Sequence, residues 1–316
     1  MSAADQRTDL VLSILIPAYN YADGVRRIVM PLLFEGRTDI EILVHDDSTD
    51  DSVEAAMKEL AASHSFLRYT RNVPTKGAVG NWNGLLQSAQ GRYVLLIHHD
   101  DFPLSENFAS ELLRELERKF WPDALFLSCL ALDVVRKDIN VCICNALRSC
   151  IARYWPSYLL RRNVLGPPSV LVVRREIFEG YDPKLKWLVD VEAYFRFLKG
   201  HSRRLAFSRM MMASSTGMSN AISTLLKAEL KEVTGAELTY LETKYTQKNC
   251  WMPLQWANNS WGKLMFAMEW PLWAILKSTS IVCNAISVDL VSLRAAVNHR
   301  SSGFGRVTEN DNTGDK

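Results

Sequence analysis

The stretch Arg92–Phe102, RYVLLIHHDDF, constrains the fold of this chain more than any other. Tyr93 to Ile97 is a short apolar run, closed abruptly by two imidazoles and two carboxylates. A run of that length between polar residues reads as a strand buried on both faces. In an open parallel sheet the ligand crevice lies just beyond the carboxyl ends of such strands. His98, His99, Asp100 and Asp101 are therefore expected at a crevice. Adjacent carboxylates repel each other unless a cation or hydrogen-bond donors compensate. Hard oxygen ligands near a phosphate suit Mg²⁺ or Mn²⁺. A solvated acidic turn is the plainer alternative for the same residues.

The segments before this stretch repeat its pattern. Leu10–Ile16 reads as a strand that stops at Pro17, followed by the loop PAYNYADG and a helix over Val25–Phe34. Ile40–Val44 is a second strand, ending in HDDSTDDS. Ser52 to Ala62 has helical spacing, with Asp50 or Asp51 as its N-cap. Phe66–Thr70 is a third strand, and Lys76–Gly80, KGAVG, opens the next helix. Strand and helix thus alternate over the first hundred residues, which predicts βαβ units and a parallel sheet. Further on, Phe108–Phe120 reads as an amphipathic helix, and Ala124–Leu132 and Gly166–Val173 carry strand-like runs. Val134–Ser157 shows no readable period. Trp187–Gly200 has a helical period with Gly200 as its C′ residue, and Ile222–Tyr245 reads as a long polar helix.

Composition excludes some classes of function. The chain has 316 residues, 48% of them hydrophobic, and a formal net charge of +2. With no Lys/Arg-rich run, it does not read as a nucleic-acid binder. The polar N-terminus lacks the apolar core of a signal peptide, and the six cysteines are scattered, so reduced thiols and a cytoplasmic location are expected. The Cys142–Cys144 pair with Cys150 fits no usual zinc spacing. From Cys250 the composition changes, with Trp251, Trp256, Trp261, Trp270 and Trp273 close together. Between Trp251 and Arg306, five basic residues face two acidic ones, which suits peripheral contact with a membrane at its inner face. A helical subdomain packed on the core is the alternative. Leu264–Leu276 is interrupted by Glu269 and Pro271 and falls short of the roughly 20 apolar residues of a membrane span.

Two acidic strand ends, Asp46–Asp47 and Asp100–Asp101, suit a nucleotide diphosphate held with a metal ion. Neither GxGxxG nor GxxxxGK[ST] occurs, so dinucleotide and P-loop readings lose their main support. SILIPAYN (Ser13–Asn20), EILVHDDSTDDS (Glu41–Ser52) and KGAVGNWNGLLQSAQGRYVLLIHHDDF, in this order, resemble glycosyltransferase family 2. The resemblance runs from Val11 to Gly200. It implies an α/β GT-A fold, with a Rossmann-like, mostly parallel central sheet flanked by helices. It also implies inverting sugar transfer from a nucleotide diphosphate donor, a UDP-sugar first among them. The acceptor would be a saccharide or a polyprenyl-linked sugar, as in bacterial surface polysaccharide synthesis.

Residue roles come from that resemblance. Pro17, Tyr19 and Asn20 match the opening IPxYN, whose loop lies beside the nucleotide. Asp46 and Asp47 match the acidic pair that holds base and ribose; the sequence is one residue short there, and either aspartate could face the base. Gly77 and Asn81 match the next loop and helix. In the Asp-x-Asp-Asp motif His98 takes the first position, and Asp100 and Asp101 the later two. Asp100 is implied as the ligand of Mn²⁺ or Mg²⁺, with His98 donating to ribose or diphosphate or ligating the metal. Asp190 takes the place of the catalytic base, with Arg196 as a structural partner in its helix and Ser169 near the pocket. At the start of a helix, backbone N–H groups are expected to lower the pKa of Asp190. Glu192 is the reserve candidate for the base. The implied organisation is a nucleotide-sugar-binding and catalytic domain over 1–220, a helical region facing membrane or acceptor over 221–300, and a disordered tail over 301–316. A GT-A-like module that binds a nucleotide sugar without turnover is the competing reading, fed by His98.

Overall fold

A computed structural model describes residues 10–133, 138–142, 144–216 and 228–246. The tryptophan-rich tail, for which membrane contact is expected, and the terminal segment 301–316 lie outside the described residues, as do Cys250 and Cys283.

The first half alternates as its apolar runs predict. Strand β1 (Leu12–Ala18) is followed by helix α1 (Ala22–Glu35), β2 (Ile40–Asp46), α2 (Ser52–Ser63), β3 (Leu67–Arg71), α3 (Gly77–Ser88) and β4 (Tyr93–Leu96). β1, β2 and β4 are buried along their whole length, as strands covered by helices on both faces must be. The four strands are parallel, in the order β3-β2-β1-β4. The chain moves outward from β1 to β3, then crosses back to place β4 on the other side of β1. The carboxyl ends of β1 and β4 therefore flank a topological switch point, where open α/β sheets bind ligands.

β1 continues past Pro17 to Ala18. Leu15 C=O accepts the N–H of Ile97, and Pro17 C=O accepts a bond from His99, so both residues face the β4 side. Ladder pairing with β4 ends at Leu15–Leu96, and a proline with no N–H is tolerated where the neighbouring strand has stopped. Helix α1 lies very close to this point. A Cβ on Gly24 would meet the carbonyl oxygen of His99 at 2.1 Å and the ring of Tyr21 at 2.4 Å.

The second half is mixed. It contains β5 (Asp101–Pro103), α4 (Phe108–Arg118), β6 (Ala124–Asp133), β7 (Asp138–Val141), α5 (Asn145–Tyr154), β8 (Leu171–Arg174), α6 (Val189–His201), β9 (Leu205–Thr216) and α7 (Leu230–Thr246). The sheet continues β4-β8-β6-β9-β5, with β8 antiparallel to both neighbours, β9 parallel to β6, and β5 antiparallel to β9. β7 pairs with the outer part of β6, beyond the point where β8 stops. The stretch 134–157 that showed no period thus supplies β7 and α5. Helix α6 runs one residue past Gly200, and Ser202 takes the cap position. Among the described residues no helix is long and apolar enough to cross a membrane.

Candidate functional site

The acidic pair after β2 is buried and already engaged. Asp46 Oδ1 accepts the N–H of Ser48 at 2.9 Å, and Oδ2 accepts the hydroxyl of Tyr69 at 2.7 Å. Burial and the Asp46 carboxylate push the Tyr69 phenol up, so it stays a donor. Asp47 Oδ1 accepts from Asn72 Nδ2 at 3.0 Å and from the Lys76 N–H at 2.8 Å, and Oδ2 accepts the Gly77 N–H at 2.8 Å. This carboxylate thus fixes the start of α3. Gly77 has φ 72° and open space around its Cβ position, so backbone conformation, not room, calls for glycine there. Asn81 completes the network, accepting from Asn72 and donating to the carbonyl of His45 at 3.0 Å each. On the neighbouring strand end, Asn20 accepts the Thr49 N–H, and its own N–H donates to Ser48 Oγ at 2.8 Å. Tyr19 stays partly exposed at the mouth.

The end of β4 carries a second cluster. One ligand atom each from His98, Asp100 and Asp101 lies within 4.8 Å of the others. Asp101 is buried at the start of β5 and accepts a short hydrogen bond from the Ser169 hydroxyl. The same Ser169 oxygen accepts the N–H of His98 at 3.1 Å. Burial and the neighbouring Asp100 push the Asp101 carboxyl well above the usual carboxylate range. His98 is drawn down to about 4 by burial, so its imidazole is neutral near pH 7. Its Nε2 is buried and has no hydrogen-bond partner, while its ring packs on Trp82 at 4.6 Å between centroids. An orphaned ring nitrogen beside two mutually repelling carboxyl groups fits a divalent cation, and a mixed nitrogen and oxygen set suits Mn²⁺.

Asp190 lies in the first turn of α6. Its Oδ1 accepts the N–H of Val191 and its Oδ2 accepts from Asn163 Nδ2, both at 2.8 Å. These donors work as expected for a helix start, yet the carboxyl is pushed up to about 6, because burial outweighs them. The expected lowering is thereby corrected: desolvation of the charged form decides the sign here. Two residues on, Glu192 is fully buried and accepts from Arg196, from Lys244 Nζ at 2.6 Å and from the Tyr245 hydroxyl at 2.6 Å. Burial acts to raise its pKa, but these hydrogen bonds win and hold it low. Glu192 is an anchor for α7, and Arg196 is its helix partner. α7 also supplies Glu237, whose carboxylate accepts the N–H groups of Lys186, Trp187 and Leu188 just before α6.

Residues 13–120 match the family model described as Glycosyl transferase family 2. The chain carries a family 2 glycosyltransferase domain. Its sequence is 30% identical over 112 residues to WfaP of Escherichia coli, a UDP-Glc:alpha-D-GlcNAc-diphosphoundecaprenol beta-1,3-glucosyltransferase, covering 35% of this chain and 44% of that protein. The chain spans 31% to 62% of the length of three of the curated relatives that it matches, WfaP among them. Among solved structures, S. aureus TarS with UDP-GlcNAc matches with a TM-score of 0.52 at 16% identity, covering 68% of this chain and 61% of that one. Mannosyltransferase PcManGT from Pyrobaculum calidifontis, in complex with GDP-Man and Mn2+, matches with a TM-score of 0.53 at 12% identity, covering 96% and 83%. At such identities these two likenesses concern the fold, which is GT-A.

Within the family 2 domain, Pro17, Tyr19, Asn20, Asp46, Asp47, His98, Asp100 and Asp101 lie at the carboxyl ends of β1, β2 and β4 or just beyond them, and Gly77 and Asn81 lie at the start of α3. Asp190 comes from beyond the matched stretch and reaches the same region through the segment 163–169. Asn163 at one end of that segment bonds Asp190, and Ser169 at the other end bonds Asp101. Trp82 packs on His98 and on Tyr181, and the charge of Asp190 acts on Tyr181, which joins the two ends of the site from the other side. The sequence reading named Ser169 but not Asn163, Trp82 or Tyr181. A polar residue three positions before the GPPS turn was the one available signal for Asn163.

Proposed function

We propose that this chain is an inverting glycosyltransferase, dependent on Mn²⁺ or Mg²⁺, that moves a sugar from a UDP-sugar to a saccharide or polyprenyl-diphosphate-linked acceptor in bacterial surface polysaccharide synthesis. The observation that carries the reading is the linkage of the acidic groups: His98, Asp100 and Asp101 cluster, and Ser169 and Asn163 of one short segment tie that cluster and Asp190 together, beside the Asp47-fixed start of α3. The UDP-sugar of TarS and the lipid-linked acceptor named for WfaP support the two substrate classes. The nucleotide would lie against Pro17, Tyr19, Asn20 and the loop that Asp47 fixes to Gly77 and, through Asn72, to Asn81. Work on a lipid-linked acceptor would suit a cytoplasmic protein, peripheral at the inner face of the plasma membrane.

Asp190 accepts the proton of an acceptor hydroxyl as that oxygen attacks the anomeric carbon. Attack comes from the face opposite the nucleoside diphosphate, and the bond from carbon to phosphate oxygen breaks with its electron pair on the leaving group. His98, Asp100 and Asp101 would hold a divalent cation, which would supply charge neutralisation for the departing diphosphate. A carboxyl pushed up to about 6 is a stronger base than a free aspartate yet is largely ionised at pH 7. His98 in place of an acid favours a second reading, a binding module without turnover.

Calorimetry with UDP and UDP-GlcNAc, with and without Mn²⁺, tests the donor half. Mn²⁺ is expected to strengthen binding in the wild type and to give no such gain in Asp100→Asn, since a neutral amide is a poor ligand for a hard cation. Asp47→Ala should weaken nucleotide binding at either metal concentration by freeing the Lys76–Gly77 backbone. Metal-independent, equal affinities in all three proteins would refute the assignment. Tight binding with no release of UDP would favour the second reading.

A further inference from the structure

We infer that Asn163 is the positioning residue of the base: its side-chain amide holds Asp190 Oδ2 and keeps that carboxylate ionised and aimed along the crevice. This inference rests on Asp190 acting as the base. The geometry is specific. Asn163 Oδ1 accepts the N–H groups of Leu165 and Gly166 at 3.0 Å each, which fixes its side chain to its own turn. The Nδ2 group then has two acceptors, the Gly166 carbonyl at 2.9 Å and Asp190 Oδ2 at 2.8 Å. Val191 N–H donates to Oδ1 and the N–H of Asp190 itself also acts on the carboxylate, so Asn163 supplies its side-chain donor while lone pairs remain for an acceptor hydroxyl. None of these donors is a cation. The charge of Asp190 also acts on Tyr181, in the segment before α6, and Tyr194, one turn along α6, both pushed up by burial and therefore neutral. Asn163 is thus the only side chain among those acting on the carboxyl that favours its ionised form.

The same short segment continues to Ser169, which bonds both the Asp101 carboxylate and the His98 N–H. Asn163 and Ser169 therefore set the base and the metal-site cluster from one stretch of backbone. A group that orients a base in this way affects proton transfer before it affects donor binding.

Asn163→Asp separates this role from a structural one. It keeps the oxygen that accepts from Leu165 and Gly166 and puts a carboxylate oxygen in place of the donor, so its shift adds like-charge repulsion to the lost bond. Asn163→Ala, the second variant, removes both groups and reads the lost bond without that repulsion. The readout is the carboxyl-carbon NMR titration of ¹³C-aspartate-labelled protein, with the Asp190 signal assigned by its loss in Asp190→Asn. The Asp190 titration should move up by about one pH unit or more in both variants, the shift expected for a lost hydrogen bond to a charged group. UDP affinity should stay unchanged. In parallel, the acidic limb of UDP release from UDP-GlcNAc should move with the titration. The swap N163D/D190N should recover thermal stability without recovering UDP release. An unmoved titration in Asn163→Asp and Asn163→Ala overturns the inference, whatever happens to turnover. Wild-type UDP release by Asp190→Asn would instead remove the base from Asp190, and the positioning role with it.

Discussion

Asp190→Asn is expected to cut turnover by at least ~10²-fold, the low end for loss of a general base. The amide is the same size and can still accept the Val191 N–H through its oxygen, so α6 should keep its start. Its nitrogen would face Asn163 Nδ2, a local cost that neither amide can relieve by rotating, since each oxygen is already held by backbone N–H groups. UDP and Mn²⁺ binding should remain near wild type, because the groups assigned to them lie at the ends of β1, β2 and β4. The wild-type pH profile carries the second half of this prediction. A base acts only when ionised, so kcat/KM should rise with pH through about 6 and level off above about 7. Had the helix start governed this group, the plateau would reach well below pH 5. UDP release measured with a diphosphoundecaprenol-linked GlcNAc acceptor from pH 5 to 8 decides between the two.

The largest effect on stability is expected at Glu192. Its carboxylate is fully buried and receives Arg196, Lys244 and Tyr245. Glu192→Ala leaves the Tyr245 phenol without its acceptor and takes the buried counter-charge from Lys244 and Arg196, which keep only Asp182 and the Glu179–Gly180 contacts. Breaking a buried pair from one side costs roughly 3–5 kcal/mol. For a chain of this size that corresponds to a fall of roughly 6–20 °C in thermal midpoint. Glu192→Gln, which keeps an acceptor, should lose less. At a temperature where both variants remain folded, turnover should stay within about tenfold of wild type, in contrast to ~10²-fold or more for Asp190→Asn. Loss of turnover by Glu192→Gln with an unchanged midpoint would instead make Glu192 a catalytic residue.

Much of the first half was legible in the sequence because its signals are local. A short apolar run between polar residues can be read without knowing its neighbours, and the runs Leu10–Ile16, Ile40–Val44 and Tyr93–Ile97 became β1, β2 and β4 of the parallel core. Their carboxyl ends carry the acidic groups, so the crevice could be placed as well. The second half pairs strands far apart in sequence, such as Ala124 with Leu205, and such pairings leave no periodic mark. β5 is three residues long, too short for any period. Gly200 looked like a stop, yet α6 runs past it, since its packing outweighs the modest cost of a helical glycine. The Asp190 pKa was misread for a related reason. The helix start is visible in sequence, while the burial that outweighs it arises from residues elsewhere in the chain. Asn163 and Glu237 act across 27 and about 50 residues, and nothing in their own neighbourhood announces the partner.

The tie between α6 and α7 also sets an order of events during synthesis. Tyr245 follows Glu192 by 53 residues, and Glu237 follows the amides it accepts by about 50. At a translation rate of about 5–20 residues per second, Glu192 waits roughly 3–10 s for its last partner. Through that interval the helix bearing Asp190 has a charged residue on its inner face, which must stay hydrated. The nascent chain can therefore close its first half, built from local βαβ units, well before α6 and α7 dock. A ribosome-stalled chain ending near residue 220 should bind UDP and resist protease over its first hundred residues, while the segment around α6 remains open to cleavage.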